Sequence, residues 1–197
     1  MRNQKQVSIH LFLLLYVSCC FLFGFSPKEN KQESILNLVK NSTWYIAGPA
    51  VENQETINKV RLENDIVKVT ANENPKGEIE LNVMITPSDS NDGKPTNVSK
   101  SKFVSITYKS SHLIKLQARE GNENGTGCLH GGSHPRVDLK PSPKKFITVK
   151  IPWTNFRQDG LSNGRLLNIH NLCKFNFVNY KPVAGTTLEI KSVLIQN

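Results

Sequence analysis

The sequence predicts an all-β fold, a β-sandwich of the jelly-roll kind, on three observations. After residue 40, apolar and polar side chains alternate at period two through most of the chain, the spacing at which a strand sends one face inward and the other toward water. Helical periodicity is nearly absent. At least seven short alternating runs are separated by clusters of Gly, Pro, Ser and Asn, the punctuation of a many-stranded sandwich. With 197 residues, 38% of them hydrophobic, the chain is long enough for one domain with a sizeable core and short for two.

The first 26 residues are expected to be a secretory signal, outside that fold. Arg2 and Lys5 precede a run from Leu11 to Phe25 that is apolar apart from Ser18 and Gly24, and no acid occurs before residue 27. A short basic region followed by such a run is an export signal. Gly24 and Ser26 place small residues three and one positions before a cut that leaves Pro27, although proline there disfavours cleavage and neighbouring bonds are alternatives. Tyr16-Val17-Ser18-Cys19 is an imperfect form of a bacterial lipid-attachment box, so lipidation and an uncleaved anchor are the other possible fates. No later stretch approaches the ~18 apolar residues that span a bilayer, so no stable membrane insertion is expected once the signal is gone. Removal leaves 171 residues, two of the four cysteines, and a formal charge of +7 in place of +9.

Residues 31–197 are then expected to form a single β-sandwich domain. Glu33 to Val39 clusters Ile35, Leu36, Leu38 and Val39, a segment short enough for either one helix or one strand. Strands follow at Ile66 to Ala71, at Ile79 to Ile85 with Leu81 and Val83 on the apolar side, and at Phe103 to Tyr108. Others are expected at Leu113 to Arg119, Phe146 to Ile151, Cys173 to Val178 and Thr187 to Ile195. Between them stand the turn signals Asn74-Pro75-Lys76-Gly77, Ser110-Ser111, Gly121 to Gly127, Pro141-Ser142-Pro143 and Val183-Ala184-Gly185. Thr86 to Lys102, nearly devoid of apolar residues, reads as a long surface loop.

Cys128 and Cys173 are the cysteines left after the signal, and an even count in an exported chain favours a disulfide. On the chain-entropy account, closing the intervening loop is worth roughly 3 to 4 kcal/mol. The competing readings are free thiols, or a metal site from Cys128, His130, His134 and His170. That site would have to recruit its fourth ligand from far along the chain. Asn41-Ser42-Thr43, Asn97-Val98-Ser99 and Asn124-Gly125-Thr126 are glycosylation sequons if the pathway is eukaryotic. The lysines are spread without a dense run and no nucleic-acid motif accompanies them, so a solvated surface is favoured over a nucleic-acid groove, with acidic polysaccharide compatible.

Catalytic patterns are scarce. From Leu113 onward the only acids are Glu120, Glu123, Asp138, Asp159 and Glu189, a thin supply for a glycosidase that needs two placed carboxylates. No Gly-x-Ser-x-Gly, phosphate loop or His-Glu-x-x-His occurs.

From Phe103 on, the order of features resembles secreted carbohydrate-binding modules with a galactose-binding-domain-like jelly roll. The strand Phe103-Val104-Ser105-Ile106-Thr107-Tyr108 is followed by Leu113 to Arg119, then by a Cys/His loop from Gly127 to Pro135. Next come Thr148-Val149-Lys150-Ile151-Pro152-Trp153 with Phe156 three residues on, and two closing strands. The resemblance covers about half the chain. It implies a non-catalytic module that binds polysaccharide or oligosaccharide, with no cofactor. Such modules often hold a structural calcium through an Asp-Asp strand; here only Glu189 stands in that region, so calcium is doubtful. On Leu113 to Arg119, Ile114, Leu116 and Ala118 share one face and Gln117 and Arg119 the other, which the resemblance makes the ligand face. Expected ligand contacts are Gln117, Arg119, Trp153, His130, His134 and Tyr108. Two rivals stand beside this reading: a secreted effector binding a protein partner, and a small lyase or glycosidase using Arg119, His130, His134 or Tyr108.

Overall fold

In a computed structural model of the protein, residues 35–50, 65–88 and 92–196 are described, all within the compact unit Glu33–Asn197. The expected signal segment lies outside the described residues. Chain order runs β1 (Ile35–Asn37), the single turn α1 (Leu38–Asn41), β2 (Trp44–Ala47), β3 (Val67–Thr70), β4 (Ile79–Met84), β5 (Phe103–Ser110) and β6 (Ile114–Glu120). It continues with β7 (Pro135–Leu139), β8 (Ser142–Pro152), a 3-10 turn Trp153–Asn155, β9 (Arg157–Gln158), β10 (Leu172–Asn179) and β11 (Thr187–Gln196).

The strands form two antiparallel sheets. In the first, β11 lies between β5 on one side and both β1 and β3 on the other; β3 pairs with Thr187 to Ile190 and β1 with Leu194 to Gln196. β5 in turn pairs with β8, which forms the edge. The second sheet has the order β2-β4-β10-β6-β7-β9. Alternation decides which side chains meet between the sheets. Val104, Ile106 and Tyr108 of β5 and Ile190, Val193 and Ile195 of β11 pack against Leu81 and Val83 of β4, Phe175 and Phe177 of β10, and Leu116 of β6. Trp44 stacks on Phe177 at 6.1 Å and Trp153 on Phe175 at 6.4 Å. These offset ring pairs add to the area they bury.

Every strand expected from alternation is present within a residue or two, except that the one expected from Phe146 to Ile151 begins at Ser142 and absorbs part of the Pro141-Ser142-Pro143 turn signal. The segment expected as either helix or strand is split into β1 and α1, whose Asn37 side chain accepts the Val39 N–H at 3.1 Å. β2, β7 and β9 carried no expectation. The loop Thr86 to Lys102 is tied down by Val98, 3% exposed, and by paired backbone bonds between Thr96 and Leu172. Gly48 ends β2 at φ +93, where a Cβ would stand 2.4 Å from the Glu78 carbonyl oxygen. The close approach of β2 to the start of β4 therefore requires glycine there. Among the described residues no helix is long and apolar enough to cross a membrane.

Candidate functional site

Directly opposed residues of an antiparallel pair point to the same side, so the register fixes what the outer face of the second sheet presents. One row crosses all six strands: Tyr45, Asn82, Asn176, Gln117, Arg136, Arg157. All six side chains are polar. The adjoining row holds Met84, Lys174 and Arg119, and the row on the other flank holds Glu80, Val178, Lys115 and Asp138.

The longest of these side chains reach across intervening strands. Arg119 of β6 passes over β10 to approach Glu80 of β4 at 3.9 Å. It also donates to Gln117 Oε1 at 3.2 Å and to the His130 carbonyl at 3.0 Å. Lys174 of β10 passes over β4 to donate to the Tyr45 hydroxyl of β2 at 2.8 Å. Gln117 donates to the Tyr180 hydroxyl, and Asn176 Nδ2 to Glu80 Oε2 at 3.3 Å. Beneath these crossings lie amide atoms with no partner: both Asn82 Nδ2 and Oδ1, and Asn176 Oδ1, on residues 0% exposed. Buried polar atoms are nearly always paired, and leaving one unpaired costs about 1 to 3 kcal/mol. The three atoms belong to directly opposed residues of β4 and β10 on one face.

One end of the face is closed by a covalent tie. Cys128 and Cys173 form a disulfide with Cα atoms 5.5 Å apart. Cys173 stands at the register break of β10, between Leu172 in the core and Lys174 on the face. The bond holds the loop after β6 so that His130 Nε2 meets Asp92 Oδ1 at 2.6 Å and His130 Nδ1 lies 3.5 Å from Lys174 Nζ. Asp92 also accepts the Cys128 N–H. Burial opposes ionisation of Asp92, but that bond and His130 hold its carboxyl below the usual range. Burial, with Arg119 nearby, pulls the Lys174 ammonium down to about 8 and outweighs Asp92 and Glu80. Burial likewise raises the Tyr45 hydroxyl well above its ordinary value.

The expected contacts separate cleanly. Gln117 and Arg119 lie on the polar face, with Ile114, Leu116 and Ala118 opposite them in the core. His130 stands at the rim, its side chain half exposed. His134 is 6% exposed, and burial and Arg119 lower its pKa. Trp153 and Tyr108 lie in the core and not on this face. Trp153 is stacked in the core and donates its indole N–H to the Ser101 carbonyl at 2.9 Å. Tyr108 is wholly buried with its hydroxyl donating to the Lys140 carbonyl, which also removes it from the lyase reading. Tyr45, Glu80, Asn82, Asp92, Lys174, Asn176 and Tyr180 carried no expectation. The available signal was the polar half of the alternation in β4 and β10.

The metal reading needed a Cys128 thiolate, and the disulfide consumes it. Among the described residues no cluster of three His, Cys, Asp or Glu side chains gathers. Glu189 faces Lys109 at 3.3 Å. Glu120 closes β6; it accepts from Arg165 Nη1 and Nη2 at 2.8 and 2.9 Å and from the Asn168 N–H. Asp138 is held by Lys115, and Asp159 by Ser133 and Arg136. Asn41, Asn97 and Asn124 are all exposed.

Neither a protein-family model nor a curated protein sequence matches the chain. Solved structures do match in fold. The family 11 carbohydrate-binding module of a cellulosomal cellulase of Clostridium thermocellum superposes with a TM-score of 0.53 at 18% identity, covering 84% of this chain and 95% of that one. A family 30 carbohydrate-binding module gives 0.57 at 10% identity, covering 83% and 87%. The family 30 module of another cellulosomal cellulase of that organism gives 0.56 at 9% identity, covering 82% and 96%. The chain shares their jelly-roll β-sandwich.

Proposed function

We propose that the protein is an exported, non-catalytic module that binds polysaccharide through the outer face of its second sheet. The observation that carries this reading is the three unpartnered amide atoms on that face, Asn82 Nδ2 and Oδ1 and Asn176 Oδ1. A sugar hydroxyl both donates and accepts, so two neighbouring hydroxyls of one ring supply what Asn82 Nδ2 and Oδ1 lack. Gln117, Arg119 and Glu80 border the same place with further planar polar groups, while the exposed Tyr180 offers a ring at its margin. A ligand enters by displacing the Arg119–Glu80 contact, which at 3.9 Å is the loosest bond of the cover. The fold is that of modules named for carbohydrate binding, two of them parts of cellulases, which makes neutral β-glucans the first ligands to try. Export is supported by the N-terminal pattern and by a disulfide of the kind that persists in oxidising compartments. In a eukaryotic pathway the exposed Asn41, Asn97 and Asn124 are then its glycosylation sites, and a cell wall or matrix is its setting.

The test is retention on insoluble cellulose, chitin and neutral β-glucan, and binding to soluble oligosaccharides by calorimetry. Wild type is expected to bind at least one of them. N82A/N176A, checked for fold by circular dichroism, is expected to lose affinity by about tenfold or more, as loss of paired buried hydrogen bonds implies. Failure of wild type to bind any member of the panel, or unchanged affinity in the double variant, overturns the reading.

A further inference from the structure

We propose that the outer face of the first sheet is a second binding surface, separate from the amide row and directed at an anionic polysaccharide. The register again settles the orientation. Ile190, Val193 and Ile195 of β11 point into the core. Glu189, opposed to Lys109 of β5 and Lys68 of β3, therefore faces outward. On the same side Ser192, Thr107 and Thr148 line up across β11, β5 and β8, followed by Leu194, Ser105 and Lys150. Lys191 is exposed at the register break of β11. Among the described residues, four ammonium groups thus share one face with a single strand carboxylate, Glu189, already engaged by Lys109.

Three of these lysines are held in place. Lys109 and Lys191 both lie over the ring of Phe146, at 6.0 and 5.9 Å from its centroid, and Lys150 lies 5.1 Å from that of Phe103. A ring face beneath an ammonium group attracts it and confines its flexible stem, which lessens the ordering cost when a partner binds. Between the two rings, Thr107 and Thr148 face each other with hydroxyls 2.9 Å apart, at hand for sugar hydroxyls. Lysines along β8 also guard an open sheet edge, but Lys109 and Lys191 sit on β5 and β11, interior strands with no edge to guard.

Charge complementarity calls for a polymer with repeated anions. Lysine is a compact charge that suits carboxylate or sulfate without paired geometry, and no arginine joins the set. Single-stranded nucleic acid would stack its bases on bare rings, and both rings here are already covered by lysine. The disulfide points to surroundings where acidic glycans are the common polyanions.

The experiment compares elution by salt from immobilised polygalacturonate and heparin. The proteins are wild type, K150Q/K191Q, and K76Q/K100Q, which removes equal charge from exposed sites elsewhere. Retention of wild type on either resin is expected. K150Q/K191Q is expected to elute at lower salt and to reduce the slope of log affinity against log salt by about 1 to 2, while K76Q/K100Q elutes near wild type. Retention on polygalacturonate alone identifies carboxylate as the anion, and on heparin alone sulfate. No retention, an equal loss in both double variants, or tighter binding to single-stranded DNA than to either polysaccharide overturns the proposal. Binding to neutral glucan is scored in parallel and is expected to be unchanged in K150Q/K191Q, so this surface and the amide row stand or fall separately.

Discussion

Lys174 shows what the polar face costs. Its ammonium is removed from water, 1% exposed, with the Tyr45 hydroxyl as a neutral partner and Arg119 as a like charge nearby. Below about pH 8 it is charged in both the folded and unfolded chain, and the fold carries the full penalty. Between about 8 and the unperturbed 10.5, the unfolded chain binds a proton that the folded one has released, so stability rises with pH across that window. Above pH 10 the raised Tyr45 hydroxyl acts the opposite way, because the folded state then keeps a proton the unfolded state loses. K174M keeps the bulk and discards the charge, and replacing a buried charge by a packed apolar group is often stabilising. In urea titrations K174M is expected to exceed wild type in stability at pH 7 and to lose that advantage by pH 9.5; a constant gap between them sinks the account. Gln117 and Arg119 were legible because alternation assigns strand residues to faces. The core placement of Trp153 and Tyr108 was not legible, because an aromatic at a strand end looks the same in sequence whether it packs inward or faces outward. Lys174 and Asn176 were hidden by Phe175 and Phe177, whose core role drew the reading of β10 to its apolar half.

At the scale of elements, the strands that alternate strongly were all readable, and those that were missed lack that pattern for a physical reason. β2 offers four residues in which both Trp44 and Tyr45 are buried, one against the core and one against the polar face. β7 starts at a proline and carries Arg136 and Asp138 outward. β9 is two residues long and exists only through its pairing with β7. The tie between β10 and the loop after β6 was legible from cysteine parity, but what it positions was not. It clamps His130 and Asp92 beside Lys174, and the same loop crosses close to the segment before Thr96, where a Cβ on Gly121 would meet Pro95 at 2.1 Å. Removing the bond as C128A/C173A is expected to cost roughly 3 to 4 kcal/mol by loop entropy. It is also expected to weaken glycan binding in the fraction that remains folded, because the rim is no longer held. Thermal unfolding and calorimetry measure the two effects; a variant as stable as wild type contradicts the first, and one that is destabilised with unchanged affinity contradicts the second.

At the scale of the whole molecule, a chain with +9 formal charge turns out to divide its polar chemistry between two opposite surfaces. The second sheet's face interleaves Lys115, Arg119, Arg136, Arg157 and Lys174 with Glu80, Asp138 and amides. The first sheet's face carries Lys68, Lys109, Lys150 and Lys191 against Glu189. The linear sequence conceals this, because these lysines come from β3, β5, β8 and β11 and only antiparallel pairing brings them to one side. Between the faces lies the aromatic and aliphatic core. Coupling between sites requires an element with two arrangements that both sites bias. Two consequences follow from the proposed ligands. Hydrogen bonds to neutral hydroxyls release few counterions, so affinity for a neutral glucan is expected to change little between 50 and 300 mM salt, whereas retention on a polyanion falls steeply, by orders of magnitude for several charges. And the two ligands are expected to bind at once: a saturating neutral oligosaccharide leaves retention on polygalacturonate or heparin unchanged, and protein held there still captures labelled β-glucan. Displacement of the protein from the anionic resin by the neutral sugar would mean one shared site, and the division of labour between the sheets would be wrong.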